Sequence, residues 1–308
     1  MEKVLITGVA GALGRSVAER IRTDHSVIGI DQSPWVGHPA DVHVVTADLR
    51  KRRMEDVFRR ERPDVVIHLG LERHSFDAGL RHDVNVVGSK RVLEFAAAYG
   101  AKRVIVVTSS YVYGALAENP FYMDEETALN VSRHYPEIRD LAEVDSLATN
   151  FLWRYPEIAT AVLRPVSTLG PRSRSSISKY LKLGFSPMVM GFDPLMQFIH
   201  EEDVAEAVVR TLAGGLRGVF NVVGPGAVPI SVAIRESGGT AVAVPETTTR
   251  LFLERLFQWG LFPFPADAVD FIKFPCTIDG RRFREATGFQ PTHGLTETLR
   301  GVRLDEAA

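Results

Sequence analysis

The chain has 308 residues, 45% of them hydrophobic and 24% charged, with a formal net charge of −2. That mix suits a globular protein with room for one large α/β domain and a smaller lobe; it excludes long disorder and lacks the basic footprint of a nucleic-acid binder. Cys276 is the single cysteine, so no intramolecular disulfide forms; no run approaches the ~20 apolar residues of a membrane span.

Met1-Glu2-Lys3 leads straight into a strand-like run with no signal-peptide pattern, and the expectation is a cytoplasmic protein. Short β-branched runs at Val4–Thr7, Ser26–Ile30, Val42–Thr46, Asp64–Leu69 and Arg103–Thr108 read as strands. Helical patterns lie between several of them: Ala12–Arg22, Met54–Arg60 and Asp83–Tyr99, the last closed by Gly100. Runs apolar throughout suit strands covered on both faces, and strand–helix alternation predicts a doubly wound, Rossmann-type parallel sheet. The basic cluster Arg50-Lys51-Arg52-Arg53, followed at once by Glu55 and Asp56, reads as a solvated helix face. A long helix is expected from Tyr135 to Tyr155, with Pro136 in its first turn, then a sixth strand at Thr160–Leu163.

Beyond Gly170-Pro171 the regular alternation stops. The expected division is a dinucleotide-binding domain over 1–170 and a smaller α+β substrate lobe over 171–308. Glu202–Leu212 reads as a helix and Val219–Val223 as a strand returning to the main sheet. The stretch Thr249–Trp259 reads as a core-packed helix, or else Phe252, Phe257, Trp259 and Phe262 line an apolar substrate entrance.

Thr7-Gly8-Val9-Ala10-Gly11-Ala12-Leu13-Gly14 opens between the first strand and the first helix. There Gly8 permits a sharp turn, Gly11 lets backbone approach a pyrophosphate, and Gly14 allows close helix–strand packing. The N–H groups of Ala12 and Leu13 at the helix N-terminus then face the phosphates. Asp31 ends the second strand, 17 residues after Gly14. A carboxylate there accepts from ribose hydroxyls and repels a 2′-phosphate, which favours NAD over NADP.

The spacing Thr-Gly-x-x-Gly-x-x-Gly resembles the extended short-chain dehydrogenase/reductases, and among them the NAD-dependent epimerase/dehydratase branch that acts on nucleotide sugars. The resemblance spans nearly the whole chain: Asp48-Leu49, His68-Leu69-Gly70, Asn85-Val86-Val87-Gly88, Ser109-Ser110-Tyr111-Val112-Tyr113-Gly114, Leu163-Arg164-Pro165, Gly170-Pro171-Arg172 and Phe198–Ala205 all follow in order. It implies that Asp48 and Leu49 lie beside the adenine and that Leu69, Gly70 and Asn85 also line the cofactor site.

The resemblance also implies a serine, then a tyrosine and a lysine four residues apart. Ser109 takes the serine position; 26 residues on stands Tyr135, and four further stands Arg139 in place of lysine, with Glu143 after it. The tyrosine is the acid/base, the cation lowers its pKa and contacts the cofactor, and the serine orients the reacting oxygen. Arginine keeps the charge but not the compact ammonium. Three readings stay open: Tyr135 acts with Arg139; another group, such as Tyr111 or a histidine, handles the proton; or NAD is bound without turnover, as in a regulatory protein. Ser110, Tyr111, Ser167 (where relatives often carry asparagine) and Arg172 are the expected substrate contacts, with Lys179 or Lys182 as further phosphate candidates. A 3-hydroxysteroid or lipid-alcohol dehydrogenase is the alternative enzyme. The histidines lack metal-like spacing, so no metal is expected. A homodimer is expected through helices 83–99 and 135–155, with Leu141, Val144, Leu147 and Ala148 as an apolar face.

Overall fold

The computed structural model describes residues 1–72, 77–130, 136–246, 255 and 266–303. Seven strands form the central sheet: β1 (Lys3–Thr7), β2 (Ser26–Asp31), β3 (Val42–Thr46), β4 (Val65–His68), β5 (Arg103–Val107), β6 (Ala159–Pro165) and β10 (Gly218–Val222). Their order is β10-β6-β5-β4-β1-β2-β3, and every pairing is parallel. Parallel strands need crossovers, and helices supply them on both faces. Alternate strand residues therefore enter opposite cores. Val4, Ile6, Val65, Ile67, Ile105 and Leu163 pack with α1 (Ala12–Ile21) and α7 (Glu201–Gly214). Leu5, Val66, Val104, Val106 and Val162 pack with α2 (Arg52–Glu61), α4 (Gly88–Ala98) and the middle of α5 (Pro136–Arg154). This is the expected doubly wound fold. Strand order reverses between β1 and β4, and at such a switch point the carboxyl ends of the strands open a crevice.

The expected helix over 83–99 is longer and broken. It begins as α3 (Ala78–His82), whose cap Asp77 accepts from the Leu80 N–H at 3.0 Å, winds as a π-helix over Asp83–Val87, and continues as α4. Apolar periodicity does not register a π turn, because one extra residue per turn rotates the stripe without interrupting it.

From Ser167 onward the chain supplies short pairings. β7 (Ser167–Leu169) runs parallel to β9 (Leu195–His200), β9 antiparallel to β11 (Ala227–Pro229), and β8 (Phe185–Val189) parallel to β12 (Thr240–Val244). Helices α6 (Ser176–Lys182), α8 (Ile230–Glu236), α9 (Arg281–Thr287) and α10 (Leu295–Arg300) complete this half. Two later elements return to the main body. β10 joins the sheet beside β6, and α7 lies against α1, where Glu202 accepts from Ser16 Oγ and Arg20 at 2.8 Å each. The stretch 249–259 and Phe262 lie outside the described residues, Arg255 excepted.

Helix α5 is fastened from below. Thr108 Oγ1 donates to Asp145 Oδ2 (2.8 Å), and Arg164 meets the same carboxylate through Nε (2.9 Å) and Nη2 (2.6 Å). Both members of the pair are buried. Removing one partner strands a buried charge, so Asp145→Ala is expected to cost about 3–5 kcal/mol in urea unfolding. A loss below ~1 kcal/mol, the range of exposed pairs, would show that water shares the site.

The expected apolar dimer face is largely occupied inside the chain: Leu141, Val144 and Ala148 are buried in the cores, and Leu147 packs half-buried against one of them. Among the exposed residues of α4, α5 and the turn before α4 are Val87, Lys90, Glu94, Arg139, Glu143, Ser146, Asn150 and Trp153. No described helix is long and apolar enough to cross a membrane.

Candidate functional site

The glycine loop sits at the switch point. Gly8 leaves β1 with φ +73°, in the left-handed region, and its N–H donates to Ile30 O at 2.8 Å. A Cβ there would stand 2.7 Å from the Cα and N of Gly70, so the loops after β1 and β4 touch backbone to backbone. A Cβ on Gly14 would stand 2.2 Å from Gly8 O, so α1 is packed onto the loop itself. Gly11 differs: it is exposed, and a Cβ there would meet only Gly8 O at 3.3 Å. Gly11 is also the N-cap of α1 and offers no side-chain acceptor, which leaves the first-turn N–H groups of Ala12 and Leu13 open. An uncapped helix end behind an open glycine fits a diphosphate.

Two carboxylates flank the loop. Asp31 accepts from Ala10 N (3.0 Å) and Ser33 N (2.9 Å), so it braces the loop and keeps free lone pairs. Asp48 is bidentate to Arg50, whose guanidinium holds the carboxyl below the usual range. Leu49 is buried between Gly70 and Gly88, 3.3 Å from where either would carry a Cβ.

Behind the loop runs a polar chain that sequence reasoning missed. Thr7 Oγ1 accepts from Leu69 N (3.3 Å) and Gly70 N (3.2 Å) and lies 2.6 Å from His68 Nδ1; His68 Nε2 lies 2.7 Å from Ser89 Oγ. With its lone pairs engaged, Thr7 donates its proton to Nδ1, which puts the ring proton on Nε2. The chain thus locks the loop after β4 onto β1. Only the position of Thr7 in the motif signals it.

Burial pulls His68 down from 6.5 to about 4. Between those values the unfolded chain binds the extra proton, so stability falls as pH drops from 6.5 towards 4, by about 3 kcal/mol, and is insensitive to His68 above that window. Replacing His68 with Gln is expected to flatten that part of the stability curve in urea titrations at pH 7 and pH 4. An equally steep curve in the variant would show that His68 is not the group responsible.

Asn85, in the π turn, is buried and commits its amide to one residue: Oδ1 accepts from Glu72 N (2.7 Å) and Nδ2 donates to Glu72 O (2.8 Å). It shapes the loop after β4 through the backbone.

The next loop brings the expected substrate residues together. Ser109 stands two residues beyond β5, and its Oγ accepts from Tyr111 N at 3.3 Å, capping a single turn over Ser110–Tyr113. The Tyr111 hydroxyl lies 2.7 Å from Ser167 Oγ, and its ring meets the edge of Phe271 at 4.9 Å. The backbone carbonyl of buried Ser110 accepts from Cys276 Sγ at 3.5 Å; burial pushes that thiol up to about 12. Phe271 and Cys276 arrive from the far end of the chain, so no local signal marked them. Arg172 is engaged elsewhere: its Nε lies 3.3 Å from Glu201 and its Nη2 contacts Glu202. Lys179 is exposed on α6, and Lys182 is half-buried.

Tyr135 lies outside the described residues. Arg139, one turn into α5, is half exposed, and its Nη2 lies 4.0 Å from Asp140 Oδ1. Asp140 is fully buried and also holds Arg81 Nε (3.2 Å) and His82 Nδ1 (3.2 Å). The Arg139 guanidinium therefore stands beside an acid that two other basic side chains share.

A family model described as NAD dependent epimerase/dehydratase matches residues 4–223. An uncharacterized protein of Mycobacterium bovis is 28% identical over 312 residues, covering 96% of this chain and 82% of its own length. UDP-glucose 4-epimerase of Mycolicibacterium smegmatis is 26% identical over 324 residues, 96% of each chain. The crystal structure of Thermus thermophilus UDP-glucose 4-epimerase in complex with NAD superposes with a TM-score of 0.77 at 20% identity, over 99% of both chains. That of Bacillus anthracis dTDP-glucose 4,6-dehydratase in complex with NAD gives 0.75 at 17% identity, over 99% of this chain and 97% of the other.

Proposed function

Because the chain belongs to the NAD dependent epimerase/dehydratase family, we propose that it is an enzyme working on a nucleotide sugar with NAD as its resident cofactor. The observation that carries this reading is the glycine cradle: Gly8 against Gly70, Gly14 against Gly8, and Gly11 open before an uncapped helix. Gly8, Gly11, Ala12, Leu13 and Gly14 would hold the pyrophosphate, Asp31 the adenosine ribose, and Asp48 and Leu49 the adenine. Leu69, Gly70 and Asn85 would frame the nicotinamide half. NAD, when bound, supplies the acceptor for a hydride.

The remaining work falls to this chain's own groups. Tyr135 takes the proton of a sugar hydroxyl, Ser109 orients that oxygen, and the charge of Arg139 favours the phenolate. Ser110, Tyr111 and Ser167 face the sugar. Arg172 contacts a substrate phosphate only by leaving Glu201 and Glu202, which makes it the weakest of these assignments. Purified protein given UDP- or dTDP-sugars is expected to show absorbance at the reduced-nicotinamide band. A panel of nucleotide sugars that gives neither absorbance change nor thermal shift would sink the reading.

A second reading is favoured by the Arg139–Asp140 contact: the chain binds NAD while turning over slowly or not at all. A homodimer remains part of the proposal, through the outer, mostly polar faces of α4 and α5. A monomer in sedimentation at micromolar concentration would remove it.

A further inference from the structure

Arg15 follows Gly14 directly and sits in the first turn of α1. Its Nε donates to Ala10 O at 2.8 Å, and its guanidinium lies over the Trp35 ring, 5.7 Å from the centroid. Trp35 is buried, so the side chain is held by the loop at one point and by an immobile aromatic face at another. Among the described residues its two terminal nitrogens have no partner. Ala10 thus tethers two opposite charges: its N–H binds Asp31, and its carbonyl binds Arg15. The two do not pair with each other.

We propose that Arg15 is an anion-binding residue at the adenosine end of the dinucleotide site, and that it lets the chain accept NADP alongside NAD. This rests on the reading that the glycine loop holds a dinucleotide. Asp31 on its own disfavours a 2′-phosphate. Here two backbone N–H groups already share its charge, and a guanidinium fork on the first turn of α1 is tied to the same loop through Ala10 O. A planar fork with free N–H groups is the side chain best suited to a phosphate. The segment Asp31-Gln32-Ser33-Pro34 brings no other cation. Arg15 therefore decides how far Asp31 excludes the phosphorylated ribose.

The test is calorimetric titration of the intact protein with NAD and NADP. Wild type is expected to bind both, NAD more tightly. Arg15→Gln is expected to weaken NADP at least about tenfold and NAD less than about threefold, and Arg15→Lys to restore most of the NADP affinity. Asp31→Asn is expected to tighten NADP. Equal loss of both ligands in Arg15→Gln would assign Arg15 to a part common to both and overturn the proposal. So would wild type and Asp31→Asn that bind NAD but not NADP. Wild type that binds neither would fall on the cofactor reading itself, and take the proposal with it.

Discussion

Gly14→Ala is expected to destabilise the protein by about 3 kcal/mol and to weaken NAD binding by at least about a hundredfold. The added methyl would stand 2.2 Å from Gly8 O and 2.7 Å from Val9 Cα, and both neighbours are backbone, so no side chain can swing aside. The first turn of α1 must move off the loop. That displaces the open N–H groups on which the diphosphate reading depends, whereas a Cβ on Gly11 would meet only Gly8 O, at 3.3 Å, a far milder contact. Gly184 is the control: a Cβ there meets nothing within 4 Å, and its alanine variant is expected to be neutral or slightly more stable. Urea unfolding and calorimetry read both effects. Should Gly14→Ala bind NAD as wild type does, the packing of α1 on Gly8 would not control the cofactor site.

Restoring lysine at position 139 is expected to raise turnover by about a hundredfold on any nucleotide sugar that the natural chain converts slowly, within the range of positioned acid–base groups. The reason is steric and electrostatic together. Arginine's fork reaches to within 4.0 Å of Asp140, itself occupied by Arg81 and His82, so part of its positive charge is committed to that acid. A lysine is narrower and presents a point charge. Steady-state rates of Arg139→Lys and of Tyr135→Phe in both backgrounds decide it. If the lysine chain is no faster and loss of the Tyr135 hydroxyl changes nothing, the proton passes elsewhere, and the binding-only reading gains.

The fold was readable because its signals are local. Each parallel strand is an apolar run covered on both faces, and each glycine of the first loop answers a demand made within a few residues. Thr7 to Gly14 therefore announced both the crossover and the ligand class. Boundaries were harder to read where geometry departs from the ordinary helix. The π turn at Asp83–Val87 keeps the apolar stripe, and Asp77, a cap by residue type, stands before a helix start masked by the following glycine.

The candidate site divides along the same line. Sequence by itself determined the family and the NAD cofactor, and it offered Ser109, Tyr135 and Arg139 as catalytic candidates, because these depend on residue type at fixed spacing. Tertiary structure decided what those residues have as neighbours. It set Tyr111 on Ser167 and Phe271, committed Arg172 to Glu201 and Glu202, buried Leu141, Val144 and Ala148 within the chain, and linked His68 to Thr7 and Ser89. Each of these pairings joins groups far apart in the chain, and their partners are chosen by sheet order and by the cost of leaving a buried polar group unpaired. Neither of those leaves a trace in local spacing.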